Sequence, residues 1–175
     1  MARCKQTYLI LPDDSADLLV YTGPWPNAEP EGDDPMFVQS KTSVERTQTT
    51  MTAYLQDLLG GGPYARHFAD DVVMTLMWTD QVLRGRDAVE QMINYLHQQA
   101  FAARPVLKNS FVGEGQAVAE ADFVGKHSGE FAGVAASGKD VNMPYCVVYD
   151  LDEDKITALR LYFPVDVLLQ QIGAK

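Results

Sequence analysis

The chain is poor in cysteine and histidine, and its few copies are not spaced for a shared site. Cys4 and Cys146 are its two cysteines, far apart and without CxxC or CxxxC spacing, which indicates neither a disulfide framework nor a zinc site. Its three histidines, His67, His97 and His127, show no HxH, HxxxH or HExxH spacing. We therefore expect two free thiols and no metal centre.

Positive charge and long hydrophobic runs are also scarce. Fourteen Lys and Arg residues stand against 24 Asp and Glu residues, which gives a formal net charge of −10. This charge repels a phosphate backbone, and no stretch combines basic with aromatic residues. No run reaches the roughly 18 consecutive apolar residues of a membrane span, and the first residues lack the apolar core of a signal peptide. We expect neither nucleic acid nor membrane as partner, and a cytoplasmic location.

The first 42 residues differ in composition from the rest of the chain. Seven acidic and two basic residues lie among the first 40, with several prolines between residues 24 and 35. Two short apolar runs, residues 8–11 and 18–21, are spaced to pair as a hairpin. We interpret residues 1–42 as an acidic, proline-containing extension that packs on the domain or on a second subunit, and residues 43–175 as one domain.

A long helix is predicted at the start of this domain. Ser43 is suited to cap it, and apolar residues from Val44 to Leu59 recur at intervals of three and four. Gly60-Gly61-Gly62-Pro63 predicts an abrupt end, because glycine terminates helices and proline does not continue them. A second, short helix is expected over residues 64–68.

A strand over residues 72–78 precedes the next predicted helix. Asp87 and Glu90 have capping-box spacing at its start, and Arg104-Pro105 predicts its end. Four strands follow, at residues 106–112, 117–127, 141–151 and 156–163. Consecutive antiparallel strands after a block of helices indicate an α+β fold, with helices on a curved antiparallel sheet around a pocket.

Three short stretches carry a family resemblance: GKHSGEFAG at residues 125–133, SGKDV at 137–141 and DKI at 154–156. They resemble the GTHTGEFxG, TGKxV and DGKI motifs of SnoaL-like polyketide cyclases in the NTF2-like superfamily, and the similarity extends back through residues 68–73 and 85–89. The resemblance implies a cone-shaped fold that dimerises through its outer sheet face. It also implies a cofactor-independent cyclase or isomerase that moves protons on a polyketide or similar natural-product intermediate.

The family resemblance further implies an acidic proton-transfer residue early in the strand after the TGK loop. Counted back from Lys155, that position is Val147, which cannot accept a proton. The nearest acid, Asp150, lies three residues further on and should face the other side of the sheet. The last strand also ends in Phe163-Pro164, where related sequences often have Phe-Asp.

The candidate catalytic residues are His127, Tyr145 and Arg160, which the family register turns towards the cone. An imidazole can take and return a proton near neutral pH, while a tyrosine hydroxyl or a guanidinium can stabilise an oxyanion. Anchoring of the glycine-rich loop is the alternative role of His127. The alternative for Arg160 is an exposed position or an ion pair with Asp71, Glu120 or Asp122.

The register of Glu120 and Asp122 is a separate question. Both alternate with alanines, so they share one face of their strand. The family register places this face on the convex side of the sheet, whereas a shift by one residue would turn both acids into the pocket as leading bases.

The expected substrate is a small apolar or aromatic organic molecule. The side chains expected to bind it are Tyr54, Met74, Trp78, His97, Phe123, Met143 and Tyr162. For His97 the alternative is a buried histidine with satisfied hydrogen bonds. Two other functions stay open: an epoxide-hydrolase-like enzyme, which needs a carboxylate near Arg160, and a non-catalytic small-molecule-binding module, which Val147 favours.

Overall fold

The chain divides into two compact units, Met1–Gln39 and Ser40–Lys175. The computed structural model describes residues 42–79 and 81–174, together with two short strands near the N-terminus. Of these, β1 (Tyr8–Ile10) pairs antiparallel with β2 (Leu19–Tyr21), which confirms the predicted hairpin pairing. The predicted packing of the N-terminal extension lies outside the described residues.

The first helix of the domain, α1 (Val44–Gly60), begins and ends where the sequence predicts. The Ser43 side chain accepts a hydrogen bond from the backbone N–H of Arg46 at 3.4 Å. Gly61 closes the helix at φ 74°, in the left-handed region that glycine adopts without strain. A 3₁₀ turn (Tyr64–His67) follows, as expected. None of the helices in the described part of the chain is long and apolar enough to cross a membrane.

The second helix, α2 (Arg86–Asn94), starts without the predicted capping box. Its N-cap is Gly85 at φ 88°, and no side chain bonds to the helix end. The helix therefore begins one residue before Asp87, which lies inside its first turn. Gly85 makes this possible because it turns the chain directly from a short strand, β4 (Val82–Arg84), into the helix.

Residues Tyr95–Ala100 continue α2 as a π-helical turn, and β5 (Phe101–Val112) begins directly after it. The prediction that Arg104-Pro105 ends the helix is therefore wrong, because both residues lie within a strand. Sheet pairing decides this boundary: Phe101 pairs with His127, and the carbonyl oxygen of Ala100 accepts the N–H of Gly129 at 2.9 Å.

The main sheet has six strands in the order β4-β3-β8-β7-β6-β5. Besides β4 and β5, its strands are β3 (Phe68–Leu76), β6 (Gln116–His127), β7 (Asp140–Asp152) and β8 (Lys155–Tyr162). The β3–β8 pair is parallel, so the sheet is mixed, whereas the sequence predicted an antiparallel one. A short helix, α3 (Val165–Ile172), follows β8 and was not predicted.

One face of this sheet carries the core. On β7, Val141, Met143, Val147 and Tyr149 are buried at alternate positions, as a strand with one covered face requires. The buried face of α1, which includes Met51 and Tyr54, joins the same apolar cluster. Helices packed on one face of a curved sheet confirm the predicted α+β class and create the interior in which a ligand site can lie.

Candidate active site

A cavity lies between the helices and the buried face of the sheet; we call it the chamber. Its volume is about 40 Å³, which accommodates about three water molecules. Most of its wall is apolar. The lining residues come from α1, from the α2–π segment, from the strands β3, β6, β7 and β8, and from the residue that follows β8: Tyr54, Leu58, Met74, Ile93, Leu96, His97, Phe123, Tyr145, Val147, Tyr149, Leu159, Leu161 and Phe163.

Three tyrosines supply hydroxyl groups to the chamber wall. Burial raises the pKa of Tyr54, Tyr145 and Tyr149, so all three hydroxyls stay protonated and available as donors at neutral pH. The hydroxyl of Tyr149 also interacts with that of Tyr54. Tyr145 packs edge-on against Phe123 and Phe163, with ring centroids 6.3 and 5.7 Å apart. The Tyr145 hydroxyl has no hydrogen-bond partner among the described residues, which leaves it free to bind a ligand.

His97 adds a basic group to the chamber. It lies on the π-helical turn, and its ring centroid is 5.8 Å from that of Phe123. Burial lowers its pKa to about 4, so the imidazole is neutral at physiological pH. Within the described part of the chain no group hydrogen-bonds to it, so the alternative of a satisfied structural histidine is not what the structure shows.

The chamber lining contains no carboxylate. Val147, at the position where the family pattern implies an acid, lines the chamber and is 8 % exposed. The ionisable groups that the lining does contain are His97 and the three tyrosines. The described residues also contain no cluster of three or more His, Cys, Asp or Glu side chains that could hold a metal ion. His97 is therefore the base that this lining offers.

His127 does not line the chamber. It is fully buried, and its ring centroid lies 5.1 Å from that of Phe101. Its Nδ1 accepts the backbone N–H of Ser137 at 3.2 Å and lies 3.0 Å from the Ser137 Oγ. The Nε2 atom has no hydrogen-bond partner among the described residues. The geometry thus corresponds to the loop-anchoring alternative rather than to a group facing a substrate.

Close packing on both sides of His127 explains why the motif contains glycines there. A Cβ on Gly125 would lie 2.5 Å from the Cα of Ala103, and one on Gly129 would lie 2.1 Å from the carbonyl oxygen of Gln99. Neither position has room for a side chain. The close approach of Gly129 to Gln99 holds the residues after His127 against the end of the π-helical turn that carries His97, whereas Gly125 lies against β5.

Arg160 and Tyr162 face away from the chamber, which corrects the predicted register of β8. Val147 pairs with Leu161 and Val148 pairs with Arg160, and directly opposed residues share a face of the sheet. Leu159 and Leu161 consequently line the chamber. The prediction was shifted by one residue, which moves every side chain of a strand to the opposite face.

The partner of Arg160 is Asp150. The two side chains form a bidentate ion pair on the outer face, with Nη2 2.8 Å from Oδ1. None of Asp71, Glu120 and Asp122, the acids named from the sequence as possible partners, pairs with Arg160. Tyr162 is 45 % exposed on the same side of the sheet.

Glu120 and Asp122 lie on the outer face, as the family register places them. Glu120 accepts a hydrogen bond from Asn109 at 3.0 Å, and Asp122 forms an ion pair with Lys108 at 2.8 Å. Neither acid enters the chamber lining. The alternative register, in which both would act as bases, is therefore wrong.

The residues expected to bind substrate divide into two groups. Tyr54, Met74, His97 and Phe123 line the chamber, as does the expected catalytic Tyr145. Trp78 packs instead against Phe163, with ring centroids 5.7 Å apart, and Met143 is a fully buried core residue. Neither lines the chamber. The sequence could not separate them from the lining residues, because apolar residues that fill the core and apolar residues that line a cavity have the same periodicity.

Several lining residues were not singled out from the sequence as ligand-binding. Leu58 follows Tyr54 by four residues on α1, and Leu96 is on the buried stripe of the α2–π segment, so helical periodicity was the available signal. Tyr149 was not singled out either, although it lies two residues from Val147 on the same face of β7. Leu159, Leu161 and Phe163 were missed because the β8 register was shifted.

Comparison with protein families gives one match, to the model described as SnoaL-like polyketide cyclase, over residues 62–172. This segment contains the chamber strands and the GKHSGEFAG motif. No curated protein matches the chain in sequence.

Many solved structures share the fold. A protein from Jannaschia sp. CCS1 described as a SnoaL-like polyketide cyclase superposes with a TM-score of 0.68 at 18 % identity, covering 78 % of this chain and 99 % of that one. AclR from Streptomyces galilaeus, described as a hydroxylase, has a TM-score of 0.64 at 15 % identity, covering 76 % and 99 %. A Catenulispora acidiphila protein with a ketosteroid isomerase-like fold, in complex with trimethylamine, has a TM-score of 0.60 at 16 % identity, covering 74 % and 95 %.

Proposed function

Because the chain belongs to the SnoaL-like polyketide cyclase family, we propose that it is a cyclase or isomerase that moves a proton on a small aromatic or apolar carbonyl compound of polyketide type. The reacting carbon atoms are bound in the chamber, and the rest of the molecule extends into a neighbouring cavity of about 680 Å³ that shares Leu58 and His97 with it. The reaction needs no cofactor. One observation carries this proposal: His97 presents a neutral imidazole with no protein partner among the described residues, beside tyrosine hydroxyls in an otherwise apolar cavity.

His97 acts as the base and Tyr145 as the hydrogen-bond donor. The imidazole takes a proton from carbon next to a carbonyl group, and the C–H electron pair moves onto the carbonyl oxygen as an enolate. The Tyr145 hydroxyl donates to that oxygen. In cyclisation the enolate carbon attacks a second carbonyl carbon, and the resulting alkoxide takes the proton back from His97. In isomerisation the proton returns to a different carbon, so either reaction regenerates the neutral imidazole.

A pKa of about 4 keeps the imidazole of His97 unprotonated at neutral pH, but it also makes the imidazole a weak base until the enolate begins to form. When the enolate forms, its negative charge favours the imidazolium and raises the pKa of His97 in the complex. The apolar wall strengthens this attraction, because charges interact more strongly at low dielectric.

The test is hydrogen–deuterium exchange at the carbon acid of 2-tetralone, followed by NMR. We expect the wild-type protein to accelerate exchange, His97→Leu to lose about 10²–10⁴-fold of that acceleration and Tyr145→Phe to lose about 10²-fold. Tyr162→Phe is the matched control, because it removes a hydroxyl from the outer face. Exchange by His97→Leu at the wild-type rate would exclude the assignment.

Two expected catalytic residues have no part in this proposal. Neither His127 nor Arg160 lines the chamber, so their geometry gives no support for contact with a substrate. The epoxide-hydrolase alternative also loses support, since the carboxylate beside Arg160 is Asp150 on the outer face.

A second candidate function is a binding module that holds its ligand unchanged. Val147 favours it, because the family's proton-transfer position here is an alkyl group. The same NMR experiment separates the two functions: shifted 2-tetralone resonances without accelerated exchange would support binding alone.

We also propose that the outer sheet face forms a homodimer and that the protein is cytoplasmic. Several large apolar side chains are exposed on β5, among them Val106 at 46 % and Phe111 at 61 %. Sedimentation equilibrium of the wild-type protein beside Phe111→Lys tests the dimer. A monomeric wild-type protein would exclude it.

A further inference from the structure

The neighbouring cavity, which we call the outer cleft, lies between the end of α1, the α2–π segment and the start of β5. Sites for small organic ligands commonly span about 300–1,000 Å³, and the outer cleft, at about 680 Å³, falls within that range. From the α2–π segment its wall receives Glu90, Asn94, His97 and Gln98, which are spaced by three or four residues and so share one flank of the helix.

Glu90 gives the cleft wall a negative charge. The Tyr64 hydroxyl, which also lines the cleft, lies 2.8 Å from Oδ1 of Asn94 and 3.4 Å from the backbone oxygen of Glu90. Burial and the nearby negative charge of Glu90 raise the pKa of Tyr64, so the carboxylate acts on this side of the helix. Glu90 forms no ion pair with any residue that the structure describes.

No positive side chain offsets this charge from the described part of the cleft wall. Arg104 pairs with Val124, and directly opposed residues share a face of the sheet. Val124 and Val106 are 36 % and 46 % exposed, so this register directs the Arg104 side chain to the outer face and away from the cleft. His97 is neutral, because burial lowers its pKa to about 4.

The end of α1 adds partial negative charge to the opposite wall. The N–H of Gly62 donates to the Asp57 carbonyl at 2.7 Å, that of Tyr64 donates to the Gly62 carbonyl at 2.9 Å, and Pro63 has no N–H. The carbonyl oxygens of residues 58–60 therefore lack the helical donors that would come four residues later. The last turn contains no basic residue, so this helix end favours a cation beside it.

Building on the proposed function, we propose that the substrate is an aromatic carbonyl compound bearing a protonated amine. Its carbonyl end enters the chamber beside His97, and its ammonium group is bound in the outer cleft between the Glu90 carboxylate and the carbonyl oxygens at the end of α1. An ammonium group suits both, because it is positively charged and is purely a hydrogen-bond donor. The cleft is thus a second subsite that selects cationic over neutral substrates.

The test compares two probes of the same shape, 6-(aminomethyl)-2-naphthol and 6-(hydroxymethyl)-2-naphthol, which differ in charge at neutral pH. Dissociation constants come from fluorescence titration. We expect the amine to bind the wild-type protein about fivefold more tightly than the alcohol, as for a partly exposed ion pair. Glu90→Gln should reduce this preference to less than about twofold and leave the affinity for the alcohol unchanged.

Glu114→Gln is the matched control. It removes the same charge from the exposed turn between β5 and β6, outside the cleft wall. It therefore measures what the net charge of −10 contributes by itself. Equal affinity of the wild-type protein for both probes would overturn the proposal. A preference that survives Glu90→Gln, or that Glu114→Gln lowers as far, would overturn it too.

Failure here and failure of the proposed function give different results. Val147→Phe fills the chamber, and thermal unfolding monitored by circular dichroism verifies that the variant is folded. If Val147→Phe weakens both probes while the wild-type protein does not prefer the amine, the chamber stands and the cation subsite is wrong. If Val147→Phe changes neither affinity, the chamber is not the binding site and the proposed function fails. If neither probe binds, the cation subsite is wrong and the 2-tetralone experiment decides the proposed function separately.

Discussion

Nδ1 of His127 accepts the backbone N–H of Ser137 at 3.2 Å, across ten residues of loop. The imidazole therefore closes the glycine-rich loop onto the sheet and does not face the chamber. The histidine that faces the chamber is His97, thirty positions earlier, on the π-helical turn that this loop contacts. The GKHSGEFAG motif thus affects the chamber indirectly, because it contacts the π-helical turn that carries His97.

Replacement of His127 should reduce stability. We expect His127→Ala to lower the free energy of unfolding by about 2–4 kcal/mol, because it removes a fully buried ring and the acceptor for Ser137. Ser137→Ala should cost at most about 1 kcal/mol, since its backbone N–H remains. Urea unfolding measures both, with exposed Ser128→Ala as control. Unchanged stability together with lost turnover would instead make His127 catalytic.

Gly129 should not tolerate a methyl group. A Cβ there would lie 2.1 Å from the carbonyl oxygen of Gln99, so Gly129→Ala forces the loop away from the π-helical turn. We expect a loss of about 1–3 kcal/mol and reduced exchange activity, because His97 lies on that turn. Gly113→Ala is the control, since its nearest contact would be an ordinary 3.8 Å. Equal unfolding midpoints of the two variants would contradict this interpretation.

His97 should make stability and activity depend on pH in a defined window. Burial lowers its pKa from 6.5 to about 4, so between these values the unfolded chain binds more protons than the native one. Stability should therefore rise as the pH increases from about 4 to 6.5, and His97→Leu should flatten that slope. Exchange activity should be constant above pH 5 and fall as His97 protonates near pH 4. An NMR titration of the imidazole with a midpoint near 6.5 would refute this.

The Arg160–Asp150 pair should contribute to stability and not to turnover. Its hydrogen bonds lower the pKa of Asp150, so the contribution is present above the unfolded pKa of about 3.9 and is lost as the pH falls through the native value. We expect Asp150→Asn to cost about 1 kcal/mol at pH 7, and less in acid. Asp152→Asn, at the exposed end of the same strand, is the control. Loss of exchange activity in Arg160→Ala would show that Arg160 does reach the substrate.

Local patterns in the sequence predicted the elements whose physical causes are local. The cap at Ser43 and the glycine end of α1 both follow from contacts within a few residues. Asp87 and Arg104 show the limit of such patterns. The turn at Gly85 starts α2 before Asp87, so Asp87 is not its cap. The pairing of Phe101 with His127 begins β5 before the chain reaches Arg104-Pro105, so these two residues do not end the helix.

By itself, the sequence determined the α+β class, the hydrophobic stripe of α1 and the absence of an acid at Val147. Tertiary structure alone decided which polar groups enter the chamber. The face that a β8 side chain occupies depends on its register with β7, and a shift of one residue exchanges Arg160 for Leu161. Whether His97 or His127 faces a ligand likewise depends on how the glycine-rich loop packs on the π-helical turn, a contact between segments that no local pattern encodes.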